Sequence, residues 1–133
     1  MAAAQQKISV GIDLVQVSRV SHSLERFGDR FMHRIFTAGE IAYATAAPAL
    51  VAERFAARLA AKEAAMKALD LGEQGVSWRD IEVARAPSGA PTLVLHGLAD
   101  TRAREAGVQS VEVSLSHEGD YATAVVITMR EIQ

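Results

Sequence analysis

Six side chains have the types and spacings to do chemistry: Asp13, Arg58, Lys62, Glu63, Lys67 and His117. Asp13 and Glu63 offer hard carboxylate oxygens. The chain has no cysteine, hence no thiolate to hold zinc or act as a nucleophile. Such a pair favours magnesium over zinc. Arg58, Lys62 and Lys67 share one stretch with Glu63, and three cations there suit phosphate. His117 stands before a tight turn, where it can do acid–base work, contact an anion, or simply face water. Asp13 has a second reading, as a strand-end cap for the helix that follows. No Walker loop, Gly-x-Gly-x-x-Gly or Gly-x-Ser-x-Gly is present, so neither a standard nucleotide cradle nor a nucleophile elbow is available. Read from the residues alone, the set points to a metal-assisted phosphate site.

The element that must position them is Arg54–Leu69, rich in Ala and Leu and free of Gly and Pro, which predicts a strong helix. At helical spacing Val51, Phe55, Leu59, Met66 and Leu69 form one stripe, and Arg58 and Lys62 fall on it. Cations on an apolar stripe either snorkel out at its edge or are held for an anion. Glu63 and Lys67 are an i, i+4 pair on the adjoining face, beside Ala52, Ala56 and Ala60.

Before this helix, Ile8–Val15 reads as a buried strand interrupted by Gly11 and Asp13. Val17, Val20, Leu24 and Phe27 recur at helical spacing, with Gly28 as the stop. From Gln16 to Phe36 four arginines face two carboxylates, a local excess of +2 in a chain of net charge −2. That excess is either a solvated helix face or a docking patch for an acidic partner. Thr37 and Glu40 match a capping box that opens a short helix to about Ala46, and Pro48 ends it or opens the next. Beyond Leu69, Asp70–Gly75 is a loop, and Trp78, Ile81 and Val83 mark a strand. Pro87–Pro91 turns it back into the strand Thr92–His96. Leu98–Ala106 is a helix closed by Gly107. Val111–Ser116 and Tyr121–Ile127 are strands joined by a hairpin at His117–Asp120. The order βαααββαββ predicts an α+β fold, with helices on one face of a mostly antiparallel sheet.

With 133 residues, half of them apolar, the chain suits a single domain over 1–133, its first six residues a flexible N-terminal extension. The net charge argues against general nucleic-acid binding. No apolar run is long enough to span a bilayer, and a cytoplasmic protein is the expectation.

Three motifs in order carry a resemblance. They are Gly11-Ile-Asp-Leu-Val15, Arg54-Phe-Ala-Ala-Arg-Leu-Ala-Ala-Lys-Glu-Ala-Ala-Met-Lys67, and Val113-Ser-Leu-Ser-His117 followed by Tyr121-Ala-Thr-Ala-Val-Val126. From about Val10 to Ile127 the chain resembles the holo-[acyl-carrier-protein] synthases, the small-subunit class of 4′-phosphopantetheinyl transferases. The resemblance implies Mg2+-dependent transfer of phosphopantetheine from coenzyme A to a serine of apo acyl carrier protein. Adenosine 3′,5′-bisphosphate is released, and the reaction serves fatty acid biosynthesis. It assigns Asp13 and Glu63 to the metal, Lys62 and Lys67 to pyrophosphate oxygens, and Arg58 and His117 to the neighbourhood of the coenzyme A phosphates. Glu63 or a water at the metal takes the serine proton; His117 is a base or a contact. Arg19, Arg30 and Arg34 fall where the family meets the acidic helix of the carrier protein. A homotrimer with active sites shared between subunits is implied as well. One departure is Asp70, where the family commonly has Gly. If the position requires positive φ, Asp can supply it at modest cost. If the loop approaches phosphate, the carboxylate weakens coenzyme A binding and leaves a non-enzymatic binding module.

Overall fold

A computed structural model describes residues 5–72 and 74–132. The elements run β1 (Gln5–Gln16), α1 (Val17–Phe27), α2 (Asp29–Ile35), α3 (Ala38–Thr45), α4 (Val51–Ala68), β2 (Ile81–Arg85), β3 (Pro91–Leu95), α5 (Gly97–Glu105), β4 (Val108–Glu118) and β5 (Tyr121–Ile132). Every ladder is antiparallel. Among the described residues the strands form two sheets rather than the single one expected: β1-β5-β4 and the hairpin β2-β3. β3 lies beside β4 but shares no ladder with it. Of the expected N-terminal extension, residues 1–4 lie outside the described residues. Gln5 and Gln6 instead belong to β1, opposite Ile132 and Glu131.

Local signals set most element ends. Gly28 (φ 52°) stops α1, and a new helix, α2, begins one residue later, splitting the charged segment in two. Thr37 and Glu40 form the capping box of α3, with Thr37 Oγ1 accepting from the Glu40 amide and Glu40 Oε1 accepting from the Thr37 amide. Pro48 opens a 3₁₀ turn that leads into α4, and Trp78 sits on another 3₁₀ turn, just ahead of β2. Asp70 adopts φ 55°, so the left-handed geometry supplied elsewhere by Gly is supplied here by Asp. Gly119 and Asp120 make the turn between β4 and β5. Asp120 then caps α1, accepting from the Ser18 amide (2.9 Å) and hydroxyl (2.6 Å), and those bonds hold its carboxyl below the ordinary range.

The core is the contact of α4 with the sheet. Ala60, Ala61, Ala64, Ala65 and Ala68 are buried, facing a sheet surface that carries Gly11, Ala122, Ala124 and Val126. Small side chains on both sides bring the backbones close, and longer ones complete the core nearby, with the Phe36 and Phe55 rings 4.5 Å apart. A Cβ at Gly11 would overlap the Ala64 carbonyl oxygen and lie 2.9 Å from the Ala68 amide nitrogen. Both neighbours are backbone and cannot rotate away. Gly11→Ala is therefore expected to cost about 3 kcal/mol or more, at or above the upper end of ordinary overpacking. Urea denaturation reads the loss; unchanged stability would mean that α4 stands further from β1 than it does here.

This close approach overturns the reading of Ile8–Val15 as a buried strand. The small and polar residues Ser9, Gly11 and Asp13 face α4, while Ile8, Val10, Ile12 and Leu14 turn outward and are 61–69% exposed. Ile127 and Val125, their partners on β5, extend the same outer face.

Candidate active site

The approach of β1 to α4 sets Asp13 against the Glu63–Lys67 turn. Lys67 Nζ donates to the Ile12 carbonyl at 2.9 Å and lies 3.2 Å from Asp13 Oδ1. The rest of the Lys67 side chain is open to solvent. Asp13 is no helix cap: it sits within β1 opposite Ala124, and Asp120 does the capping. Among the described residues its Oδ2 is buried without a hydrogen-bond partner. The Glu63 carboxyl is pushed up to about 7, first by burial and then by the neighbouring Asp13 carboxylate, with Lys67 opposing. Two facing carboxylates ionise together only when something positive stands between them. An orphaned oxygen and a mutually repelling pair of hard donors fit a divalent cation such as Mg2+. Among the described residues no group of three His, Asp or Glu assembles. Two carboxylates with substrate phosphates completing the shell are typical of magnesium rather than of an all-protein cage.

Arg58 and His117 lie elsewhere. Arg58 is five residues before Glu63, roughly 140° around the helix. With Tyr43, Arg54, Glu53 and His117 it lines a separate cleft that contains none of Asp13, Glu63 and Lys67. His117 Nδ1 pairs with the Glu53 carboxylate. Burial pulls the Arg58 guanidinium below its ordinary value, against the opposing influence of Tyr43 and Glu40.

The model of the 4′-phosphopantetheinyl transferase superfamily matches residues 9–126. The chain belongs to that superfamily. It is 50% identical over 121 residues to the holo-[acyl-carrier-protein] synthase of Koribacter versatilis, covering 90% of this chain and 96% of that one. The Helicobacter pylori holo-[acyl-carrier-protein] synthase, solved in complex with coenzyme A, is 30% identical with a TM-score of 0.78, covering 90% and 98% of the two chains. A coenzyme A complex of the Chronobacterium ammoniagenes protein is 32% identical with a TM-score of 0.81, covering 96% and 99%. This chain is thus a transferase of the holo-[acyl-carrier-protein] synthase branch, with the α+β fold of those structures.

One assignment carried by the resemblance does not fit this transferase. Lys62 has no exposed surface: its Nζ lies 2.7 Å from Glu40 Oε1 and donates to the Trp78 and Ile81 carbonyls. All three ammonium donors are used, which leaves none for pyrophosphate. Burial lowers its pKa and Glu40 opposes that shift. The cation on the apolar stripe is therefore neither snorkelling nor awaiting a ligand; it is a structural tie between α4, α3 and β2.

The arginines of the basic segment stay on the surface. Arg19 on α1 lines a cleft with Gln16, Phe31 and Glu63, so it opens onto one of the two facing carboxylates. Arg30 and Arg34 on α2 line a neighbouring groove with Phe27, Phe31 and Trp78. Asp70 and Lys67 share a third cleft with Lys7 and Arg130. Sequence reasoning missed Tyr43, Glu53 and the second role of Glu40. The capping box accounted fully for Glu40, and its remaining oxygen, which accepts from the Val83 amide at 2.8 Å, gave no local sign.

Proposed function

We propose that the chain is a Mg2+-dependent holo-[acyl-carrier-protein] synthase, moving 4′-phosphopantetheine from coenzyme A to a serine of apo acyl carrier protein in fatty acid biosynthesis. The cluster of Asp13, Glu63 and Lys67 carries this reading: it supplies two hard oxygens and one anchored cation on adjacent backbones. In the reaction the serine Oγ forms a bond to the phosphorus bearing pantetheine. The P–O bond to the adenosine side breaks, adenosine 3′,5′-bisphosphate leaves with the electron pair, and the serine proton passes to a base. Asp13 and Glu63 are the residues that hold Mg2+, which when bound polarises the phosphoryl oxygens and neutralises charge on the leaving phosphate. Lys67 Nζ, already oriented by Ile12 and Asp13, gives a charge-assisted hydrogen bond to the pyrophosphate oxygens. Glu63 is the protein group beside the delivered serine that can accept its proton; His117, in the other cleft, can do so only where a neighbouring copy brings that cleft to the carboxylates. Glu53 holds His117 Nδ1 and leaves Nε2 free.

Arg19 shares its cleft with Glu63, so an acidic carrier helix seated on Arg19, Arg30 and Arg34 delivers its serine beside the carboxylates. Arg19→Glu is expected to raise the KM for the carrier protein about tenfold while changing the KM for coenzyme A far less, because steering by charge acts on the acidic partner. An equal rise in both constants would remove the docking role.

The protein works as a cytoplasmic homotrimer in this reading. Two features support assembly: the outward apolar face of β1, and the placement of Arg58 and His117 in a different cleft from the carboxylates. A coenzyme A that meets both clefts is readily bridged between neighbouring copies. Sedimentation is expected to give a trimer, and a monomer at assay concentration would contradict the shared site.

The deciding experiment is the intact mass of apo acyl carrier protein after incubation with this protein, coenzyme A and Mg2+, with an EDTA control. A gain of one phosphopantetheine, lost with EDTA, is the expected result. No gain in mass overturns the proposal.

A further inference from the structure

The cleft that Lys67 and Asp70 share begins beside the reaction centre, yet the transfer as described makes no use of it. It lies where the inner face of the sheet runs on past the last turn of α4. Ser9 faces α4, and strand alternation puts Lys7 on the same face as Ser9. Arg130 stands directly opposite Lys7 in the β1–β5 register. From Lys67 and Ser9 the cleft reaches out to this pair, with a volume of about 420 Å³. Lys7, Lys67 and Arg130 thus line it against one carboxylate, Asp70. Among the described residues neither Lys7 nor Arg130 forms an ion pair. Like charges directly opposite on paired strands are destabilising, and an anion lying between them relieves the repulsion.

Lys67 holds the pyrophosphate in the reading above, and the adenosine side belongs with Arg58 and His117. The pantetheine arm is what remains to enter this cleft. Asp13 and Lys7 lie six positions apart on one strand, about 20 Å at the usual rise. From phosphorus to the carboxylate of a malonyl thioester the donor spans about sixteen bonds, or about 18 Å extended at the advance of a peptide chain. The free thiol therefore stops short of Lys7, and a short acyl chain ending in a carboxylate meets it. Ser9 offers a hydroxyl to the amides of the arm, and Leu69 and Val108 offer apolar contact to its methyl groups. We infer that Lys7 and Arg130 are specificity-determining residues that bind the terminal carboxylate of an acyl-coenzyme A. The protein thereby takes carboxyacyl thioesters such as malonyl-coenzyme A in preference to neutral ones. The thioester itself is untouched: the same P–O bond breaks, and the acyl group travels to the carrier serine on the arm. Asp70, with its opposite charge, limits the preference. This rests on the proposed function and names a donor class for the same site.

The test compares kcat/KM for malonyl-coenzyme A and propionyl-coenzyme A, which have the same acyl chain length and differ in the terminal group. The readout is the mass gained by apo acyl carrier protein. Wild type is expected to favour the malonyl donor about tenfold, the product of two solvent-exposed contacts worth severalfold each. High salt removes most of that preference. Lys7→Gln combined with Arg130→Gln brings the ratio to about one and leaves transfer from propionyl-coenzyme A and from coenzyme A itself unchanged, a split that a merely structural role does not produce. Asp70→Asn moves the ratio the other way, in favour of the malonyl donor. A wild-type ratio near one, or a ratio unchanged in the double variant, overturns the inference and leaves the transferase reading intact. So does an equal fall for every donor, the mark of general steering of an anionic coenzyme by charge. If wild type transfers from no donor, the proposed function falls, and calorimetry decides the cleft. Malonyl-coenzyme A binding more tightly than propionyl-coenzyme A in wild type but not in the double variant upholds it, and equal binding in wild type overturns it.

Discussion

Asp13→Asn and Glu63→Gln are each expected to lower metal-dependent transfer by about a hundredfold or more, above the loss typical of an outer-sphere partner of a metal ligand. Each swaps a hard anionic oxygen for a neutral amide of the same shape, so packing of β1 on α4 survives while affinity for the cation falls. A second readout separates a lost ligand from general damage. Glu63 has its carboxyl pushed up to about 7 from an ordinary 4.5, mainly by burial and then by Asp13. A carboxyl raised in the folded state favours folding when protonated. Its contribution is complete below the ordinary value and is lost as pH rises through about 7. In EDTA, wild type is therefore expected to lose stability over that window, and Asp13→Asn to lose less, since the opposing charge is gone. Added Mg2+ flattens the wild-type profile and leaves the variant unchanged. A variant that transfers at the wild-type rate would strike that residue from the metal site. A pH profile identical in both proteins would mean that the two carboxylates do not face each other.

Features whose cause is local were readable in the sequence. The capping box at Thr37 and Glu40, the stops at Gly28 and Gly107, and the turn at Gly119 each depend on residues within four positions of one another. The α+β class followed from them. The pairing of Asp13 with Glu63 and Lys67 was carried by the family resemblance, and the direct passage from β1 into α1 gave no hint of it. What stayed hidden depends on distant partners. Ile8, Val10, Ile12 and Leu14 look like core in a sequence, yet Gly11 and the alanines of α4 leave room only for small side chains on the inner face. The apolar set is thereby turned to the surface. Lys62 and Arg58 stand one turn apart on one stripe and look equivalent. Lys62 meets Glu40, 22 positions earlier, and the Trp78 and Ile81 carbonyls well downstream, whereas Arg58 meets Tyr43 and an open cleft. Composition assigns the same phosphate-binding character to both; only the packing of α3 and β2 tells them apart.

That difference yields the largest expected effect on stability. Lys62→Met keeps the buried methylene stem but leaves the Glu40 carboxylate without its cation, and removes two bonds to the Trp78 and Ile81 carbonyls. Breaking a buried ion pair from one side costs about 3–5 kcal/mol. Against the roughly 5–15 kcal/mol that holds a domain of this size together, this brings the chain near unfolding at room temperature. Glu40→Gln alone is expected to cost less, because its amide oxygen still accepts from either Thr37 or Val83. In the double variant no charge is stranded, so the combined loss falls short of the sum of the two single losses by 1 kcal/mol or more, on the order seen for directly coupled residues. Urea denaturation of the four proteins closes the cycle. Transfer assays at low temperature, scaled to the folded fraction, supply the contrast with a binding role. A folded Lys62→Met protein of normal stability whose KM for coenzyme A has risen would show that Lys62 leaves Glu40 to meet the pyrophosphate. A destabilised protein whose folded fraction keeps its KM identifies Lys62 as the tie that holds α3 and β2 against α4. In that role it keeps Tyr43 and Arg58 in register on either side of the second cleft.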